Sequence, residues 1–185
     1  MRFSDLKFNL TSWIRLRTFG RSITILLNLL EPAKEDVILD VGAGTGVIAS
    51  KVAAMCDEVF ALEPRRDRVD YMKRRFPEVK AFDGVAENVQ FPESYFTKIY
   101  AVSAFHHFKD QDQAVSEFDR ILKPGGIVLI HELYPKSSIA KVEKRISKMN
   151  FQTPESLKAK FAVAGFQERK LERTKQGYFV LFQKS

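Results

Sequence analysis

Short apolar runs of strand length alternate with segments of helical period along most of this chain. A helical stretch runs up to Leu30 and is stopped by Glu31-Pro32. Val37-Ile38-Leu39-Asp40-Val41 follows as a continuous apolar run, then a glycine loop, then a helical stretch from about Val47 to Met55. Glu58-Val59-Phe60-Ala61-Leu62 makes a second buried strand. Arg65 to Phe76 carries Val69, Met72 and Phe76 at helical spacing, and Pro77 ends it. Val79 to Phe82 and Lys98 to Val102 read as third and fourth strands. Gln111 to Leu122 sets Ala114, Val115, Phe118, Ile121 and Leu122 on one helix face, before the turn Lys123-Pro124-Gly125-Gly126. Ile127-Val128-Leu129-Ile130 is the most apolar run, a strand buried on both faces. Lys136 to Met149 is charged and helical. A further helix opens at Thr153-Pro154-Glu155-Ser156, with threonine as N-cap and proline in the first turn, and closes at Gly165. Phe166 to Arg173 and Tyr178 to Phe182, joined across Gly177, form a terminal antiparallel pair.

Alternating strands and helices predict an α/β fold, with a doubly wound, mainly parallel, Rossmann-like sheet and a C-terminal antiparallel strand pair. Such sheets bind ligands beyond the carboxyl ends of the strands, where strand order reverses. The 185 residues fit one domain, with 1–21 as an N-terminal lid or helix and 22–185 as the core. A lone cysteine, Cys56, excludes a disulfide framework and fits a reducing cytoplasm. Three histidines give no structural zinc pattern, and no metal is expected. The run from Ile23 to Leu30 is too short for a bilayer span, which needs roughly 20 apolar residues. The net charge of +7 is spread over four separated runs with interspersed acids. It reads as a solvated basic surface, with an anion-attracting face as the alternative.

The chemistry is concentrated at strand ends. The first strand runs into Asp40-Val41-Gly42-Ala43-Gly44-Thr45-Gly46, where alternate glycines let the backbone turn and approach a ligand. The G-x-G-x-G spacing departs from the G-x-G-x-x-G of dinucleotide sites. Val47-Ile48 stand where a phosphate-binding loop needs lysine and a hydroxyl residue. The second strand ends in Leu62-Glu63, about 20 residues past the loop, where this fold class puts a ribose-binding carboxylate. Its other reading is an acid at the N-terminus of the next helix.

Taken together these segments resemble the class I S-adenosylmethionine-dependent methyltransferases. Val37 to Gly46 is similar to their first motif, and Ala86-Glu87-Asn88-Val89-Gln90-Phe91-Pro92 to their third-strand loop. Phe105-His106-His107-Phe108 and Leu122-Lys123-Pro124-Gly125-Gly126 complete the set in order. The subgroup most alike is the small-molecule type that includes ubiquinone- and menaquinone-biosynthesis C-methyltransferases. The resemblance implies S-adenosylmethionine as cofactor. Asp40 and the backbone of Gly42, Ala43, Gly44 and Gly46 would hold its methionine end, and Glu63, with Pro64 beside it, its ribose. The Asp83–Glu87 loop would edge the adenine, and Val102 and Ser103 would lie beside the sulfonium. The subgroup's usual Gly-Asp-Ala-Glu reads Gly84-Val85-Ala86-Glu87 here, so Val85 cannot accept from the adenine amino group. Either Asp83 substitutes, or the backbone of Val85 and Ala86 does the reading.

The resemblance also implies methyl transfer, in which a base is needed only for a weak nucleophile. The candidates are His106, His107, His131 and Glu132, each with an architectural reading beside the catalytic one. The acceptor is expected under residues 1–20, which carry Phe3, Phe8, Trp13 and Phe19, and under Leu133 to Phe151. A small-molecule acceptor is the expectation. An RNA or protein acceptor met by the basic surface, or a module that binds S-adenosylmethionine without catalysis, are the alternatives. The oligomeric state is not legible.

Overall fold

A computed structural model describes residues 22–134, 149–175 and 177–185. The expected N-terminal lid, including its four aromatic residues, and most of the expected helix from Lys136 to Met149 lie outside the described residues. In chain order the elements are α1 (described over 22–30), β1 (Val37–Val41), α2 (Val47–Val52), β2 (Glu58–Glu63), α3 (Arg66–Arg75), β3 (Lys80–Asp83) and β4 (Phe96–Val102). A single 3-10 turn (Phe105–His107) follows, then α4 (Gln111–Ile121), β5 (Leu122–Leu133), α5 (Pro154–Val163), β6 (Phe166–Arg173) and β7 (Gly177–Lys184).

The seven strands form one sheet in the order β3-β2-β1-β4-β5-β7-β6. The five strands from β3 to β5 run parallel. The last two are antiparallel, with β7 between β5 and β6. The chain winds outward from β1 through β2 to β3, then crosses back to lay β4 on the other side of β1. That reversal opens a crevice above the carboxyl ends of β1 and β4.

The continuous apolar runs arise because both faces of the sheet are covered. Along β1 and β5, successive residues alternate between two clusters: Leu39, Val128 and Ile130 face Phe118, Phe161 and Phe182, while Ile38 and Leu129 face Leu26, Leu30, Val69 and Met72. Helices α4 and α5 thus cover one face, and α1, α2 and α3 the other. Phe161 stacks flat on Phe182 at 4.0 Å, so α5 closes over the antiparallel end. Each fully buried leucine, isoleucine or phenylalanine contributes roughly 1.5–3 kcal/mol.

Local chemistry sets the helix starts. Asp110 caps α4, accepting from the backbone of Asp112 and Gln113 at 3.1 and 3.0 Å. Thr153 and Ser156 form a reciprocal capping box at α5, with Pro154 in the first turn, as the threonine-proline pair predicts. The segment Lys123 to Gly126 is a bulge inside β5 where a separate turn is expected. Leu122 already pairs with Phe96, and the ladder resumes with Ile127 against Lys98.

Candidate functional site

At the crevice lies a cavity of about 440 Å³, within the usual size of small-molecule sites. Its walls come from the ends of β1 and β2 and from the segments that follow β1, β2, β3 and β4.

The glycine loop leaves β1 in a left-handed conformation at alternate residues, with φ of 75° at Gly42, 62° at Gly44 and 75° at Gly46. Only glycine adopts these angles without cost. A Cβ on Gly42 would stand 2.5 Å from the Cβ of Ala104, so the loop is also pressed against the chain after β4. The amides of Gly42 and Ala43 both donate to the Leu62 carbonyl, at 2.8 and 3.1 Å, binding the loop to the end of β2.

Glu63 is the hub of this corner. It is only 3% exposed yet lines the cavity. Its Oε2 accepts from the Gly44 amide at 2.9 Å. Its Oε1 accepts from the Arg65 amide at 3.3 Å and faces Arg68 Nη1 at 3.3 Å. The helix-start reading of this acid has a structural counterpart in the bond from the Arg65 amide, and the same carboxylate anchors the glycine loop. Asp40 is buried as well, one strand inward, and its Oδ2 accepts from the Tyr100 hydroxyl at 3.0 Å. Burial, then the Asp40 charge, holds that phenol well above the usual range.

Beyond β3 the cavity is edged by Gly84, half-exposed Val85 and buried Ala86. Asp83 pairs with Glu63 across the β2–β3 ladder and is exposed outside the lining. Two devices hold the 84–91 loop. Arg120 donates to the carbonyls of Val89 and Phe91 at 2.9 and 2.8 Å, while Glu117 accepts from the Val89 amide at 3.0 Å. Glu87 Oε1 accepts from the amides of Lys109 and Asp110 at 2.7 and 3.2 Å, joining the loop to the opposite wall.

After β4 the chain turns through Ser103, a non-glycine residue at φ 50°. Such a residue carries on the order of 1 kcal/mol of backbone strain and is held by its surroundings. Here the holding groups are a bond from the Ser103 amide to the His131 carbonyl (3.0 Å) and one between Ser103 Oγ and His131 Nδ1 (3.1 Å). His131 is buried against Phe179. Burial, with His106 nearby, lowers its pKa to about 4, so the imidazole is neutral at neutral pH. His106 is buried too. Its Nδ1 lies 2.9 and 3.0 Å from the two carboxylate oxygens of Glu132, and its ring stacks on Phe151 at 4.1 Å.

Of the four acid–base candidates, His107 alone lines the cavity, and it is exposed there. His106, His131 and Glu132 form a buried layer beneath. Gly42, Glu63, Pro64, Val85, Ala86 and Ser103 of the expected cofactor set reach the cavity wall. Asp40, Ala43, Gly44, Gly46 and Val102 sit behind or beside it, and Gly44 is tied to the wall through Glu63. Sequence reasoning missed Arg65, Arg68, Ala104 and Lys109, all of which line it. Arg68 carries a legible signal, because the first turn of a helix that starts beside Glu63 returns to it; Ala104 carries none.

Comparisons with known proteins agree with this architecture. The family described as "Methyltransferase domain" matches residues 39–130. A demethylmenaquinone methyltransferase of Chlorobaculum tepidum is 31% identical over 114 residues, covering 60% of this chain and 47% of that one. The chain spans about half the length of the curated relatives it matches. Among solved structures, a chain from the Haloferax volcanii complex between the Trm112 methyltransferase activator and a methyltransferase superposes with a TM-score of 0.85. It shares 14% identity, with 99% of this chain and 98% of that one covered. A methyltransferase dependent on S-adenosylmethionine from Aquifex aeolicus gives 0.76 at 17% identity, with both chains fully covered. At such identities the structural likeness is one of fold.

Proposed function

Because this chain belongs to the class I S-adenosylmethionine-dependent methyltransferase family, we propose that it transfers a methyl group from S-adenosylmethionine to a small-molecule acceptor. The observation that carries the reading is the buried Glu63 carboxylate on the cavity wall, bonded to the glycine loop at the strand-order reversal. A carboxylate there suits a vicinal diol, and Glu63 would hold the ribose hydroxyls. The Gly42–Gly46 backbone and Asp40 would hold the methionine end. Val85 and Ala86 would edge the adenine through their backbone, since Asp83 is exposed outside the cavity. Val102 and Ser103 would flank the sulfonium.

When bound, the cofactor supplies a methyl carbon made electrophilic by the adjoining sulfonium. The chain's own contribution is positioning, which in favourable cases supplies about 7–11 kcal/mol of the barrier. His107 is the group on the cavity wall suited to remove a proton from a weakly nucleophilic acceptor. The His106–Glu132 and Ser103–His131 pairs would hold that wall in place. The proposal takes residues 1–185 as one methyltransferase domain acting in the cytoplasm.

Calorimetric titration with S-adenosylhomocysteine and with NAD tests the reading. Binding of the former in preference is expected, and tighter binding of NAD would overturn it. A macromolecular acceptor is the second reading. The net charge of +7 favours it. Saturable RNA binding that survives 200 mM salt, where non-specific contacts fall away, would support that reading instead.

A further inference from the structure

We propose that Arg68 is an internal competitor for Glu63, a reversible cap that the ribose diol must displace before the cofactor is fully bound. The inference rests on the cofactor reading above. A carboxylate offers about four lone-pair sites. In Glu63 one is used by the Gly44 amide, a second by the Arg65 amide and a third by the Arg68 guanidinium. A vicinal diol donates two hydrogen bonds, one more than the count leaves.

One existing donor must therefore yield, and the three differ in how firmly they are held. The Gly44 amide belongs to the loop that two further bonds fix to Leu62. The Arg65 amide is the N-cap backbone of α3. Arg68 reaches Glu63 with a flexible side chain, about a third of which is exposed, whereas the other two donors are backbone amides. It stands in the first turn of α3, on the cavity wall, with open solvent to turn into. Arg68 is the donor that leaves. In the empty site it satisfies the buried carboxylate. In the loaded site the diol takes over that role, and the guanidinium is released to water.

Binding then includes the loss of a partly exposed ion pair, so wild-type affinity is weaker than the same site would show without the cap. Exposed pairs of this kind correspond to a roughly twofold to fivefold change in an equilibrium constant. Salt weakens the pair, so it weakens the competitor as well.

The test is a double-mutant cycle read by calorimetric titration with S-adenosylhomocysteine. Arg68→Met keeps a good helix former at a partly exposed position, and a melting temperature within a few degrees of wild type checks that the fold is kept. Arg68→Met is expected to tighten binding by about twofold to fivefold in the wild-type background. In the Glu63→Gln background, where the ion pair is already gone, it is expected to change nothing. The gain should also shrink as salt is raised. Weaker binding by Arg68→Met would make Arg68 a ligand contact and overturn the proposal. No change in the wild-type background, or an equal gain in both backgrounds, would overturn it too. If S-adenosylhomocysteine binds no variant and not the wild type, the cofactor reading itself falls and takes the cap with it.

Discussion

Replacing Glu63 separates its anchoring of the glycine loop from the proposed diol binding. Glu63→Ala removes the acceptor of the buried Gly44 amide at 2.9 Å and of the Arg65 amide at 3.3 Å. Leaving a buried donor unsatisfied costs about 1–3 kcal/mol. The longer bond at the half-buried helix start costs less, and the Arg68 pair, partly exposed, adds well under 1 kcal/mol. The sum is about 3 kcal/mol, or roughly 6–12 °C in melting temperature at 2–4 °C per kcal/mol for a chain of this size. Cofactor binding loses, in addition, up to two charge-assisted bonds of roughly 1.5–3 kcal/mol each, which is at least tenfold in Kd. Glu63→Gln keeps an oxygen for the Gly44 amide and drops only the charge and one acceptor. It should melt within a few degrees of wild type, yet bind S-adenosylhomocysteine at least about fivefold more weakly. Thermal melts and calorimetry on the two variants read the two tasks separately. An unchanged Kd in Glu63→Gln would refute the diol assignment. A wild-type melting temperature in Glu63→Ala would refute the anchoring arithmetic.

Other substitutions test neighbouring links. His131 is buried and neutral with its pKa near 4, whereas the unfolded chain takes up that proton near pH 6.5. Stability should therefore be full above about pH 6.5 and decline as the pH falls toward 4, by about 3 kcal/mol in all. Melts of wild type and His131→Gln should diverge across that window, and parallel curves would contradict it. Gly42→Ala meets both a left-handed φ and the Ala104 Cβ at 2.5 Å, whereas Gly125→Ala meets a φ of 74° with open space around it. The first should cost clearly more than the roughly 1–2 kcal/mol expected of the second from φ alone, measured by denaturant titration. Arg120→Met strips the bonds to Val89 and Phe91. It is expected to cost about 2 kcal/mol and to speed amide exchange in the 84–91 loop; unchanged exchange would remove Arg120 from the cavity's support.

The sheet was legible because both of its faces are covered, which forces unbroken apolar runs such as Ile127 to Ile130 that no surface strand shows. Helix starts were legible where capping chemistry is local, as at Thr153-Pro154. The bulge at Lys123–Gly126 was not, since Pro-Gly-Gly signals a turn whether or not the flanking residues pair, and only the Phe96–Leu122 contact decides. The geometry of the candidate site was legible wherever the backbone demands a residue type: glycines at positive φ, and an acid at the end of β2. It was illegible where the demand comes from the third dimension. Nothing near Ala104 says that Gly42 will press on it, and nothing near His131 says that it will hold a strained Ser103. His106 and His107 look equivalent in sequence, but the 3-10 turn sends one into the interior against Glu132 and leaves the other on the cavity wall.

The antiparallel pairing of β5 with β7, from Ile127 opposite Gln183 to Leu133 opposite Gly177, has a consequence for how such a chain can diversify. The chain between those strands carries α5 and β6, and it leaves and rejoins one ladder at neighbouring positions. For a flexible excursion, closure entropy rises only as the logarithm of its length, about 0.6 kcal/mol for each doubling. An insertion between β5 and α5 therefore adds little to the cost of folding. It leaves untouched the glycine loop and Glu63 on the far side of β4. On the proposed function, acceptor preference drifts with loop length while the corner built on Gly42 and Glu63 stays under constant stereochemical constraint.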